Sequence, residues 1–145
     1  MRGAVAGLAA AAAWAAAEPA LGRMFDTSFS DVRLLGRLAV RGGAWPVAGV
    51  AIHLANGAAF GWAFERLRLS GALQGALVAE AENIALWPLM AAVDRIHPDR
   101  RDGTWPRLVT NRRVAAYEVV AHALFGAVLG TLVRPRPAGG GKMAV

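Results

Sequence analysis

A chain of 145 residues that is 56% hydrophobic, 18% charged and +6 in net charge falls well short of the roughly one-quarter charged residues of ordinary soluble domains, and so points to a bilayer. The absence of cysteine excludes disulfides, thiolate metal sites, iron–sulfur clusters and thiol nucleophiles. Arginine supplies nearly all the positive charge and sits at the edges of apolar stretches, which suits lipid phosphate better than a nucleic-acid groove, so no nucleic-acid partner is expected.

The charges are segregated. Residues 3–17, 42–64 and 114–133 contain Glu118 as their single charged residue, and residues 69–93 carry Glu80 and Glu82 but no base. An α-helix rises about 1.5 Å per residue and the hydrocarbon layer is about 30 Å thick, so about 20 residues cross it. Four crossings account for most of the chain. The expected fold is all-α: a four-transmembrane-helix bundle made of two tandem helical hairpins.

The first span is alanine-rich. Met1-Arg2 and Ala15-Ala16-Ala17 before Glu18 imitate a secretory signal with its cleavage site. The span has a counterpart, however, in the second half of the chain, where Gly71-Ala72-x-x-Gly75 matches Gly3-Ala4-x-x-Gly7 and Pro88 matches Pro19. A retained first span is therefore expected. Glu18-Pro19 reads as helix termination at proline with a snorkelling charge beside it.

The connection that follows contains Asp31-Val-Arg33-Leu-Leu-Gly-Arg37-Leu-Ala-Val-Arg41. Its arginines recur every four residues and its leucines cluster on another side, the pattern of a helix lying in the membrane interface. Arg33, Arg37 and Arg41 would then reach anionic lipid head groups, with Ser30 or Asp31 as the N-cap. The second span carries His53-x-x-x-Gly57-x-x-x-Gly61. After the short Glu65-Arg66-Leu-Arg68 corner, which predicts antiparallel neighbours on either side, the third span carries Glu80, Glu82 and Asn83 at its middle. The third connection, from Asp94 to Arg113, pairs opposite charges around Gly103 and Pro106 and reads as an ordered polar loop. The fourth span repeats the motif of the second as His122-x-x-x-Gly126-x-x-x-Gly130, 69 residues on.

These correspondences divide a single membrane domain, residues 1–137, into similar halves 1–68 and 69–137, followed by a flexible tail at 138–145. With spans two and four running in the same direction, the halves would be related by an axis along the membrane normal. The long connections carry more arginines than the side of the termini, but also more acids, so the charge rule leans only slightly toward cytoplasmic long loops.

Glycine every four residues lets backbones approach closely, which makes Gly57, Gly61, Gly71, Gly75, Gly126 and Gly130 candidate packing positions. Ionisable groups at mid-bilayer cost at least about 2.5 to 3.5 kcal/mol and so should face the interior and find partners. At 100° per residue His122 shares a face with Glu118, and His53 with Asn56. Glu80, Asn83 and Glu82 spread over a wider arc, with Glu82 nearest the Gly71–Gly75 stripe and expected to be the more buried glutamate. Trp45, Trp62, Trp87 and Trp105 read as interfacial anchors, and the deeper Trp14 as packing.

Three functions fit such a centre. The first is proton or cation handling, an ion-transport role, by His53, His122, Glu118, Glu80, Glu82, Asn83 and Asn56. The second is a bis-histidine site on His53 and His122 for a b-type haem or a divalent metal. The third is a structural or assembly subunit, in which the same groups hydrogen-bond helices together in a homo-oligomer or with a membrane partner. No nucleophile elbow, Walker loop, His-Glu-x-x-His or dinucleotide fingerprint occurs, so an enzyme is the least supported class. The plan of a GAxxG first span, an amphipathic connection and two His-x-x-x-Gly-x-x-x-Gly spans resembles small uncharacterised four-helix proteins of the bacterial inner membrane, over nearly the whole chain to about residue 134. That resemblance implies architecture and a multi-pass inner-membrane location, with no activity attached, and Glu80, Glu82 and Asn83 lie outside its pattern.

Overall fold

The computed structural model describes residues 2–133; the tail expected at 138–145 lies outside them. Among the described residues every regular element is helical: α1 (Arg2–Met24), α2 (Asp31–Ala39), α3 (Trp45–Arg66), α4 (Ala72–Leu86), a 3-10 turn (Trp87–Leu89), α5 (Met90–Ile96), α6 (Pro98–Arg101) and α7 (Arg112–Leu132). Four segments are long and apolar enough to cross a bilayer: α1, α3, α7 and the run Ala72–Ile96. The chain is an all-α multi-pass membrane protein. Its outer faces carry Val5, Leu8, Val50, Leu73, Leu77, Ile84 and Val119, all exposed, as lipid-facing positions should be.

The spans form two antiparallel hairpins, α1 with α3 and α4 with α7, which meet along α1 and α7. Each hairpin closes on glycine. A Cβ on Gly7 would overlap the carbonyl of Gly57, and one on Gly61 the carbonyl of Gly3. In the second hairpin a Cβ on Gly75 would overlap the carbonyl of Gly126, and one on Gly130 the carbonyl of Gly71. Gly71 itself sits one residue before α4 at φ +92° and donates its N–H to Gly130 O at 2.8 Å. Both crossings lie at the end of the bundle where α1 and α4 begin and α3 and α7 end.

The short α3–α4 corner does not produce packed neighbours as expected: α3 packs on α1 and α2, and α4 on α7, and a cleft runs between α3 and α4. A tight turn brings two helix ends together, but glycine contacts decide which faces meet, and the α3 and α4 glycines face other helices. The third span is also not a continuous α-helix. Pro88 cannot donate a backbone hydrogen bond, and the chain passes through a 3-10 turn at Trp87–Leu89 before α5 resumes.

The two long connections dock on each other at the opposite end of the bundle. Ser30 caps α2, accepting from Arg33 N at 3.1 Å, and Asn111 caps α7 through Arg113 N and Val114 N. α2 lies on α3 through two further glycines, Gly36 against the Trp45 carbonyl and Gly49 against that of Val32. Its arginines turn toward the third connection: Arg33 forms a two-pronged pair with the buried Asp99 at 2.8 and 2.7 Å, and Arg37 reaches Asp99 and Asp102 at 3.3 Å. Arg41 lies beyond the helix and is exposed.

Trp105 is not an interfacial anchor. It is fully buried, stacked on His97 at 4.6 Å, tilted against Phe29 at 5.2 Å and hydrogen-bonded to Ser28 O at 3.1 Å. Asp94 orders the same loop by accepting from Leu108 N, Val109 N and Arg100 Nε. The histidine beneath Trp105 is a neutral tautomer fixed by its neighbours, since His97 Nε2 donates to Leu34 O at 3.3 Å and Nδ1 accepts from Asp99 N at 3.2 Å. Burial, with Arg37 and Arg33 nearby and Asp99 opposing them, pushes its pKa down.

Candidate functional site

A cavity of about 210 Å³ lies between the two hairpins, with α3 and α4 on either side and α2 at its loop-side end. α1 contributes Trp14, α2 contributes Asp31 and Leu35, α3 contributes His53 and Asn56, α4 contributes Glu82 and Asn83, and α7 contributes Glu118 and His122. Counting 1.5 Å per residue from the loop-side helix ends, Glu18 and Glu118 lie about 9 Å deep, His53 about 12 Å, and Trp14 and His122 about 15 Å. The polar groups descend from the loop side to mid-membrane.

His122 is the hub. Its Nδ1 donates to the Glu118 backbone carbonyl at 2.8 Å and stands 3.2 Å from the Glu118 carboxylate, while its Nε2 faces Glu82 at 3.5 Å. The one-turn spacing on α7 puts Glu118 there, as helical geometry demands; Glu82 arrives from the facing helix. Asn83, rather than Glu82, is the buried member of its group, donating to Glu80 at 3.3 Å, and Glu82 is half-exposed at the cavity edge. The buried ridge of α4 runs Gly75, Ala79, Asn83 at four-residue steps, which turns Asn83 rather than Glu82 inward.

His53 is placed differently. It is buried, its Nε2 bonds Ala11 O on α1 at 3.2 Å, and its neighbour Asn56 is exposed at the cavity mouth. Both imidazoles pack edge-on against the indole of Trp14, with ring centroids at 5.0 Å for His53 and 4.6 Å for His122. The bis-histidine haem or metal centre does not fit this geometry. Trp14 comes from the helix that lies between the two histidine-bearing helices and fills the space a porphyrin or shared ion would need. Among the described residues no three His, Asp or Glu side chains are grouped to ligate a metal.

Three members of the site were not legible as such in the sequence. Glu18 is buried beneath α2 and accepts from Ser30 Oγ at 2.5 Å, Asp31 N at 2.8 Å and Val32 N at 3.1 Å, so its carboxylate sits on the N-terminus of that helix. Asp31 lies between Glu18 and Glu118. Burial, and then the charges of Glu118 and Glu18, hold its carboxyl well above the usual carboxylate range. Trp14, expected as packing, is the shared wall of both histidines. The only signal for Asp31 was its N-cap position, which carries no hint of a partner 87 residues away.

Several polar atoms of this cluster are buried without a hydrogen bond of ordinary geometry: Trp14 Nε1, Asp31 Oδ2, Tyr117 Oη and both carboxylate oxygens of Glu118. Buried polar atoms are nearly always paired in native proteins. Donors and acceptors gathered this way call for exchangeable partners: a shared proton, water or a ligand. A second cavity, open toward the loop side, is lined by Glu18, Asp26, Ser28 and Ser30, so Glu18 stands between it and the acids of the central cavity.

The fold and site define a multi-pass membrane protein with buried charged residues at its centre. No protein-family model, no curated protein and no solved structure matches the chain.

Proposed function

We propose that this protein handles protons in the membrane, through a relay running from the loop-side cavity by Glu18, Asp31 and Glu118 to His122 and Glu82. The observation that carries the reading is the position of His122 between two carboxylates on different helices, 3.2 Å from one and 3.5 Å from the other, with further acids leading from Glu118 toward solvent. Imidazole exchanges protons near neutrality, and a line of closely spaced acids lets a proton move by short steps. Asn83 and Glu80 flank the inner end, and Asn56 marks the mouth. His53, bonded to a backbone carbonyl, positions Trp14 and is outside the relay.

The two glycine crossings support a duplicated hairpin as the origin of the fold, and the resemblance noted from sequence supports a bacterial inner membrane as its location. A homo-oligomer or partner subunit would use the exposed outer faces.

The test is proton flux into proteoliposomes carrying an internal pH dye under an imposed gradient. Glu118→Gln and His122→Ala are each expected to lower flux at least about tenfold, with His53→Ala within about twofold of the parent protein. Unchanged flux in both relay variants would overturn the reading.

A further inference from the structure

The cavity has features that a proton path does not require. It opens sideways, through the cleft between α3 and α4, and its mouth is built from Phe60, Leu86, Trp87 and Met90, with Leu35 above. These side chains lie at membrane depth on spans whose outer faces are apolar, so the cleft leads into the bilayer. Inside, the lining carries three carboxyls, Asp31, Glu82 and Glu118, and no lysine or arginine. Asp31 is more than nine-tenths buried and its Oδ2 has no hydrogen bond of ordinary geometry, and of the two Glu118 oxygens Oε2 stands 3.2 Å from His122 Nδ1 while Oε1 is unpaired. His53 adds another acceptor: with Nε2–H given to Ala11 O, the neutral ring has only the lone pair of Nδ1 left to offer. Trp14 and Phe125 supply aromatic walls, which favour a cation once water is excluded.

We infer that the cavity binds an amphiphilic amine, whose ammonium head is held by Glu82 and the buried acids behind it while its apolar tail stays in the cleft between α3 and α4. Charge selects the ligand. An anion would meet three carboxyls with no lysine or arginine, and with His122 already engaged by Glu118 and Glu82, while a neutral alcohol would leave acceptors unpaired. The volume of about 210 Å³ suits a small head and the first part of a chain, with the remainder in lipid. Protons and amine compete for the same groups: Glu82 from α4, Glu118 and His122 from α7, Asp31 from α2 with Glu18 of α1 behind it, and His53 from α3. This assignment deepens the proton-handling reading and rests on it for the exchange of proton against amine; binding itself does not depend on flux.

The test uses the full chain in nanodiscs of zwitterionic lipid, with radiolabelled octylamine, octanol and octanoate as probes that share one tail and differ in head group. Uptake by empty nanodiscs is subtracted. Octylamine is expected to bind saturably at about one per chain, at least about tenfold tighter than the other two. Glu82→Gln, at a half-exposed position that the fold does not need, is expected to weaken octylamine about tenfold and leave octanol unchanged. Octanol binding as tightly as octylamine, no saturable octylamine binding, or an unaltered affinity in Glu82→Gln would each overturn the inference. Proton flux measured on the same preparations separates the two readings: flux without amine binding removes the amine site alone, and amine binding without flux removes the relay alone.

Discussion

The α1/α3 and α4/α7 hairpins share one crossing and differ in what surrounds their histidines. With Gly7 aligned to Gly75 and His53 to His122, Trp14 falls at the position of Glu82, and Gly49 at the position of Glu118. In the first hairpin the imidazole meets an indole and a backbone carbonyl, and the glycine one turn before it lets α2 lie against the helix. In the second the same two positions hold carboxylates, and the imidazole sits between them. Glycine spacing therefore sets how the helices pack, while the chemistry is set by the two side chains next to each histidine. One half holds its histidine among packing groups and the other brings two carboxylates to its histidine.

The sharpest way to break this comparison is at the shared crossing. Gly57→Val and Gly126→Val both drive a side chain into backbone, with no flexible neighbour to yield, and each is expected to cost at least about 3 kcal/mol. Loss of monodisperse protein on gel filtration, equal in the two variants, would confirm that the crossings are equivalent; a tolerated substitution in one hairpin would show that they are not. At the aligned pair Gly49/Glu118 the outcomes should diverge. Gly49→Ala pushes on the Val32 carbonyl and is expected to lower stability by about 1 to 3 kcal/mol by loosening α2. Glu118→Gln keeps the size and the acceptor oxygen of the side chain beside His122, and is expected to lower flux much more than stability.

The link between the two connections should matter about as much as one glycine. Asp99 is 1% exposed and holds Arg33 and Arg37, whose side chains are 29% and 26% exposed. Asp99→Ala is expected to cost about 2 to 3 kcal/mol, below the range of fully buried pairs because the guanidinium groups keep some water. Thermal unfolding monitored by circular dichroism would report it. The histidines give a smaller contrast. His53→Ala should destabilise by about 1 kcal/mol through its lost interhelical hydrogen bond, whereas His122→Ala should change flux far more than stability.

The pH dependence is the finest test. His97 has a lowered pKa in the fold, so the unfolded chain takes up its proton first. Stability is complete above about pH 6.5 and is lost as pH falls through the window below it. Asp31 has the opposite sign. Its raised pKa means that the folded chain holds the proton longer, so its contribution is complete below about pH 3.9 and is lost as pH rises toward neutrality. His97→Gln is therefore expected to flatten the acid side of the melting profile, and Asp31→Asn to raise the melting temperature near pH 8. If both profiles coincide with that of the parent protein, these groups do not titrate as their surroundings imply.

Hydropathy alone located the four spans, because twenty apolar residues in a row have few fates other than a bilayer. The His122–Glu118 pair was equally legible, since residues four apart on a helix share a face whatever surrounds them. The packing role of the glycines followed from spacing for the same reason. Long-range placement was not legible. The approach of Glu82 to His122, the cover of Trp14 over both rings and the descent of Asp31 toward Glu118 each depend on how separate helices cross. Trp105 looked like an interfacial anchor because tryptophan at a span end usually is one, and nothing local revealed that Phe29 and His97 would enclose it.

What the sequence by itself determined is therefore one-dimensional: span lengths, helical faces and the glycine-histidine register, all fixed by the rise and twist of a single helix. What only the tertiary structure decided is which faces meet. Close glycine contacts join α1 to α3 and α4 to α7, α3 and α4 are left without such a contact, and the cavity with its acids lies between them. Crossing angles arise from backbone contacts between distant segments, and no local pattern of residues encodes them.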